Sequence, residues 1–112
     1  MAQTIISVKC VDQALVLRGT PIIASGGLDE EKISFDFCPL WNGFTKKIVF
    51  KYDEASSIEV DIDANNSCVI PAQVVAKPGT ISFGVYGTNS DGVRRTSTVI
   101  EYTIAKGATS LL

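Results

Sequence analysis

Apolar and polar residues alternate with a period of two through most of this chain, and that pattern constrains its fold more than any other feature. From Glu31 to Phe37, the residues Ile33, Phe35 and Phe37 fall on one side while Lys32, Ser34 and Asp36 fall on the other. Thr45 to Asp53 sets Ile48, Phe50 and Tyr52 against Lys47, Val49 and Lys51. Ser57 to Asp63 sets Ile58, Val60 and Ile62 against Glu59, Asp61 and Asp63, and Thr80 to Tyr86 sets Ile81, Phe83 and Val85 against Ser82, Gly84 and Tyr86. Successive side chains of a strand point to opposite faces, so each segment reads as a strand with one buried face and one wet face.

The intervening stretches carry turn chemistry. Thr4 to Cys10 and Gln13 to Arg18, broken at Val11-Asp12, read as an opening hairpin. Gly19 to Leu28, with Thr20-Pro21 and Ser25-Gly26-Gly27, reads as loop or a short edge strand through Ile22 and Ile23, because proline cannot donate to a central ladder. Ala64-Asn65-Asn66 is a turn before a short strand from Ser67 to Ile70, and Pro71 to Lys77 suits one or two helical turns. Thr88 to Gly92 is a turn, and Val93 to Ile104 a long closing strand. The sum predicts an all-β chain: an antiparallel two-sheet β-sandwich of about eight strands, immunoglobulin-like or jelly-roll-like, with one short helical turn. Residues 1–104 form the sandwich domain, and 105–112, where alternation is lost, read as a C-terminal tail or linker.

Composition narrows the function classes. At 112 residues, 46% hydrophobic and 20% charged, the chain suits one soluble domain with its own core. Its apolar runs fall far short of the roughly 20 residues of a membrane helix, and Met1 to Ile5 lacks a basic leader region, so no membrane partner is expected. A net charge of −2 gives no positive field for a nucleic-acid backbone. Histidine is absent, which removes the usual general base and the commonest metal ligand. No cofactor and no metal is expected, and no enzymatic activity. Cys10, Cys38 and Cys68 lack Cys-x-x-Cys spacing and read as small buried hydrophobes, with one pair plus a leftover thiol as the alternative.

Four constellations compete with structural explanations. Glu59, Asp61 and Asp63 suggest a carboxylate pair for glycoside hydrolysis, but a solvated sheet face uses the same residues. Asp61-x-Asp63-x-Asn65 opens like a calcium loop and then fails it, with Asn66 where the turn glycine belongs and Ala72 where the closing glutamate belongs. Lys46, Lys47, Lys51, Arg94 and Arg95 form a basic set without interleaved aromatics, for which cross-strand pairing with acidic neighbours is the simpler role. Trp41 and Phe44, in a loop with Pro39 and Asn42-Gly43, serve either as a core plug or as a sugar-stacking platform, and the plug is favoured. Trp41, Tyr52 and Tyr86 are the candidate contacts for a ligand, a cell-wall glycan or a partner.

The run from Phe35 through Cys38-Pro39-Leu40-Trp41-Asn42-Gly43-Phe44 to Phe50, then Cys68-Val-Ile-Pro-Ala-Gln-Val-Val75, Pro78-Gly-Thr-Ile-Ser-Phe-Gly-Val-Tyr-Gly87, and the closing Arg95-Thr-Ser-Thr98 to Lys106-Gly-Ala108, resembles the N-terminal domain of upper-baseplate, tail-tip and fibre-like structural proteins of phages of Gram-positive bacteria. The resemblance implies a virion module made in the bacterial cytoplasm, multicopy or homo-oligomeric in a symmetric particle among other virion proteins. Its alternatives are a capsid decoration or head-fibre protein and a carbohydrate-binding module. The Gly19 to Leu28 segment, the Asn89 to Gly92 turn and the C-terminal tail are the expected contact regions.

Overall fold

The computed structural model describes residues 4–19, 21–28 and 31–112; the expectations on Met1–Gln3 and Thr20 lie outside the described residues. Ten strands and three short 3₁₀ turns follow in chain order among them. The strands are β1 (Thr4–Val11), β2 (Ala14–Arg18), β3 (Ile23–Ala24), β4 (Glu31–Phe37), β5 (Thr45–Lys51), β6 (Ser57–Asp61), β7 (Ser67–Val69), β8 (Gly79–Thr88), β9 (Arg94–Thr96) and β10 (Ile100–Ala105). The 3₁₀ turns are Pro39–Trp41, Ala72–Val75 and Ala108–Leu111. One sheet has the order β2-β1-β4-β7, and the other β3-β10-β8-β5-β6 with β9 also on β8. The chain is thus mostly β, in two sheets, with ten strands where about eight were expected.

Alternation places the core as read from sequence. Ile33, Phe35, Ile48, Phe50, Ile81, Phe83 and Val85 are all buried between the sheets. Ile58, Val60 and Ile62 pack against that core from β6 and its exit but stay half-buried, because β6 is an edge strand. The turn after Pro71 adds Val74 and Val75 to the core.

Pairing departs from the expected all-antiparallel scheme in two places. β1 runs parallel to β4, in a register that sets Ile6 beside Ile33 and Cys10 beside Phe37. β3 runs parallel to β10. A parallel pair requires a long crossover; residues 12–30 supply it, since β2 stays in the first sheet, β3 joins the second and β4 returns. Periodicity identifies faces but carries no information about strand direction, so this arrangement was not readable from alternation.

The expected closing strand is broken into β9 and β10 at Ser97–Val99. Ser97 turns its hydroxyl onto the Val85 amide at 2.9 Å, and the Thr98 hydroxyl accepts the Leu15 amide at 3.0 Å. The Thr98 amide donates to the Gln13 carbonyl at 2.7 Å. Serine and threonine hydroxyls compete with ladder bonds in this way. Ser97 ties the break to β8 of its own sheet, while Thr98 stitches it to the β1–β2 hairpin of the opposite sheet.

Ala105, Gly107 and Thr109 pack against the Ser25–Gly26 turn, while Leu111 and Leu112 stay exposed. Ala105 belongs to β10, one residue past the boundary read from sequence, and its carbonyl accepts the Ser25 amide at 2.8 Å. The Gly107 amide donates to the Ser25 hydroxyl at 3.0 Å. A Cβ at Gly107 would collide with the Ser25 carbonyl, and one at Gly26 with the Thr109 hydroxyl. The tail therefore docks on the Ser25–Gly26 turn through two glycines that allow close approach.

Candidate functional site

Trp41, one of the three candidate contact residues, is fully buried, as the favoured core-plug reading requires. Pro39–Trp41 turns inward after β4 and drives the indole into the end of the core, where its Nε1–H donates to the Asp12 carbonyl at 2.6 Å. Asp12 adopts a left-handed backbone, φ 53°, which aims that carbonyl from the β1–β2 turn. A ladder of rings continues from it: Phe35 on Phe37 at 5.2 Å, Phe37 on Trp41 at 5.4 Å, and Trp41 on Phe44 at 6.2 Å. These offsets are favourable aromatic geometry.

The cations that looked separate from aromatics in sequence lie over rings in space. Lys46 Nζ stands 5.0 Å from the Phe37 ring, and the Arg95 guanidinium 5.0 Å from Phe44 and 6.0 Å from Trp41. Arg95 also donates to the Leu40 carbonyl at 2.9 Å. Arg94 lies 5.6 Å over Tyr86. The Arg95 contacts join parts of the chain more than 50 residues apart, whereas Lys46 and Arg94 reach rings only nine and eight residues away. The rings are occupied by the protein's own cations.

Tyr52 and Tyr86 do not converge with Trp41 or with each other. Tyr86 edges a shallow groove of about 450 Å³ on the outer face of the larger sheet, with Gly84 as floor and Val49, Val99 and Lys51 at its sides. Tyr52 lines a separate hollow of about 290 Å³ beside Gln73, Lys77 and Pro78. The two are half-buried, on different parts of the surface.

The acidic row is likewise dispersed. Asp61 faces Lys47 across the β5–β6 ladder, with Nζ to Oδ1 at 3.7 Å, and is largely exposed. Glu59 stands opposite Val49, and Lys51 opposite Ser57 rather than an acid. Only one of the expected lysine–acid pairs forms there. Asp63 lies beyond the strand and serves the following turn: its Oδ1 accepts the amides of Asn65 at 2.9 Å and Ser67 at 3.0 Å. The Ser67 amide and its neighbours hold the carboxyl below the usual range by bonding its charged form. That turn accounts for the calcium-like spacing. Among the described residues, no group of three or more Cys, Asp or Glu side chains is placed to hold a metal ion.

Two cysteines missed as a pair by spacing come together at the Trp41 end. Cys38 donates its amide to the Cys10 carbonyl at 3.0 Å. Both thiols bond to the same residue: Cys10 Sγ–H to the Asp12 carbonyl at 3.6 Å, and the Asp12 amide to Cys38 Sγ at 3.2 Å. Burial, then the neighbouring Cys38, pushes the Cys10 thiol up to about 11. Cys68, on β7, is pushed up to about 12, chiefly by burial.

The Gly19–Leu28 segment and the C-terminal tail dock against each other at Ser25–Gly26 and both carry strongly exposed apolar residues. Ile22 is 83% exposed, Leu28 79%, Leu111 79% and Leu112 is fully open. Ser25 and Gly107 clamp these two segments together, and a hollow of about 300 Å³ between them is lined by Ile22, Gly26 and Thr109. Val93, 50% exposed, flanks the Asn89–Gly92 turn at a separate site. No protein-family model matches the chain, and no curated protein matches it.

Proposed function

We propose that the chain is a non-enzymatic structural module of a phage virion, a baseplate- or tail-associated β-sandwich that works by being packed among other virion proteins. The observation that carries this reading is the exposure of Ile22 and Leu28 on one segment and of Leu111 and Leu112 on the tail that docks against it. Solvent-facing apolar side chains gathered in one place mark contact surfaces on soluble proteins. Two of the three contact regions expected from sequence meet there, held by hydrogen bonds that fix the surface before any partner arrives.

Burial of Trp41 weighs against the glycan-binding alternative, because sugar stacking requires an open ring face. The dispersal of Glu59, Asp61 and Asp63 weighs against the hydrolase, which requires two carboxyl groups across a substrate. Within the sandwich class, the strand order favours an immunoglobulin-like over a jelly-roll topology. The order β10-β8-β5-β6 follows the G-F-C-C′ order of a variable-type immunoglobulin sheet, and β4 pairs with β7 as strand B does with strand E. The β1–β2 hairpin is an addition to that plan.

The test is incorporation. A phage carrying Ile22→Asp together with Leu111→Asp, both at exposed positions that leave the core intact, is expected to yield folded protein that fails to enter particles. Normal incorporation of that variant would remove these two segments as the assembly surface.

A further inference from the structure

We infer that Cys10 and Cys38 form a redox-sensitive cross-link site, closing to a disulfide that ties the end of β1 to the Trp41 turn while Cys68 remains a thiol. The sequence left open whether any pair exists. The hydrogen bond from the Cys38 amide to the Cys10 carbonyl, at 3.0 Å, decides the partners. Covalent geometry on either side of such a bond sets the two Cα atoms roughly 5–6.5 Å apart, inside the range that a disulfide spans.

Side-chain direction agrees with backbone distance. Both sulfur atoms turn to one peptide neighbourhood, Cys10 to the Asp12 carbonyl and Cys38 to the Asp12 amide. Closing the bond exchanges these two weak sulfur contacts for a covalent link. Cys68 lies on β7, where it pairs with Ile33 of β4, and has no such relation to either partner.

Accessibility sets the order of events. Cys38 is partly exposed and Cys10 fully buried. With oxidised glutathione as oxidant, the Cys38 thiolate attacks one glutathione sulfur and releases the other glutathione as a thiolate. The Cys10 thiolate then attacks Cys38 Sγ and expels the second glutathione. Two electrons pass from the cysteines to the glutathione disulfide, and the two cysteine protons end on the two released thiols. The second step is slow, because burial holds Cys10 protonated.

The experiment equilibrates the full chain with oxidised glutathione, alkylates remaining thiols after denaturation, and maps tryptic peptides without reduction. The expected result is a link between peptides 10–18 and 33–46, one alkylated thiol at Cys68, and a melting temperature higher than that of the reduced chain by on the order of 10 °C. Cys68→Ala is expected to leave the link intact, and Cys38→Ser to abolish both link and melting shift. Three alkylatable thiols, a link through Cys68, or a glutathione adduct on Cys38 that never resolves would each overturn the inference.

Discussion

Replacing Trp41 by alanine separates a structural role for this residue from a binding role. The side chain is fully buried, touches Phe37 and Phe44, and lies beneath the Arg95 guanidinium. Truncating a buried Trp to Ala costs about 3–5 kcal/mol through lost transfer energy and the cavity left behind. The indole N–H is also lost, leaving the Asp12 carbonyl with the weak Cys10 donor at 3.6 Å. That places Trp41→Ala in the upper part of the range, about 4–5 kcal/mol. A domain of this size holds only about 5–15 kcal/mol in total, so the variant is expected to be marginal or unfolded at 37 °C. Trp41→Phe keeps most of the ring contact and loses the hydrogen bond, for an expected cost of about 1–2 kcal/mol. Urea unfolding followed by far-ultraviolet circular dichroism measures both, since Trp41 is the sole tryptophan and its removal ends fluorescence detection. In the wild type, its emission should be blue-shifted and move to the red on unfolding. If Trp41→Ala unfolded within about 0.5 kcal/mol of wild type, as surface substitutions do, the plug argument would be refuted.

Two further substitutions probe separate parts of the fold. Gly107→Ala places a methyl group against the Ser25 backbone although φ −92° suits any residue, so it is expected to cost about 1–3 kcal/mol by overpacking and to expose the tail to limited proteolysis; unchanged stability and protection would show that the tail docks loosely. Asp63 has a lowered folded pKa, so its contribution is fully present above the ordinary value of 3.8 and lost as pH falls through the lower folded value. Urea titrations should therefore show wild type more stable than Asp63→Asn at pH 6, with the gap closing in acid; a gap that persisted or widened on acidification would contradict the turn-capping role.

How much of this was legible in the sequence depends on the kind of information each feature needs. Burial of Ile33, Phe35, Ile81, Phe83 and Val85 follows from period-two alternation, a local property. Edge placement of Ile23 followed from Pro21, again locally. The parallel pairing of β1 with β4 was hidden, since alternation is the same for either strand direction. The break at Ser97–Val99 was hidden because β-branched and hydroxyl residues continue the pattern while their hydroxyls bond to Val85 and Leu15. The ladder from Phe35 to Phe44 lay in a readable aromatic-rich stretch, but its cation from Arg95 arrives from the far end of the chain. Proximity of Cys10 to Cys38 depended on that same parallel register. Ile22 and Leu111 were read as parts of separate exposed segments; the docking of those segments depends on close approaches at Gly26 and Gly107 that alternation does not encode.

Counting copies in purified particles tests most directly the proposal that this chain is a building part of a virus particle. Quantitative mass spectrometry of gradient-purified virions, scaled to the major capsid protein, is expected to find the chain at a fixed multiple that matches the symmetry of a tail or baseplate. Particles that are complete and infectious without it, or a copy number that falls toward zero with each purification step, would contradict the assignment.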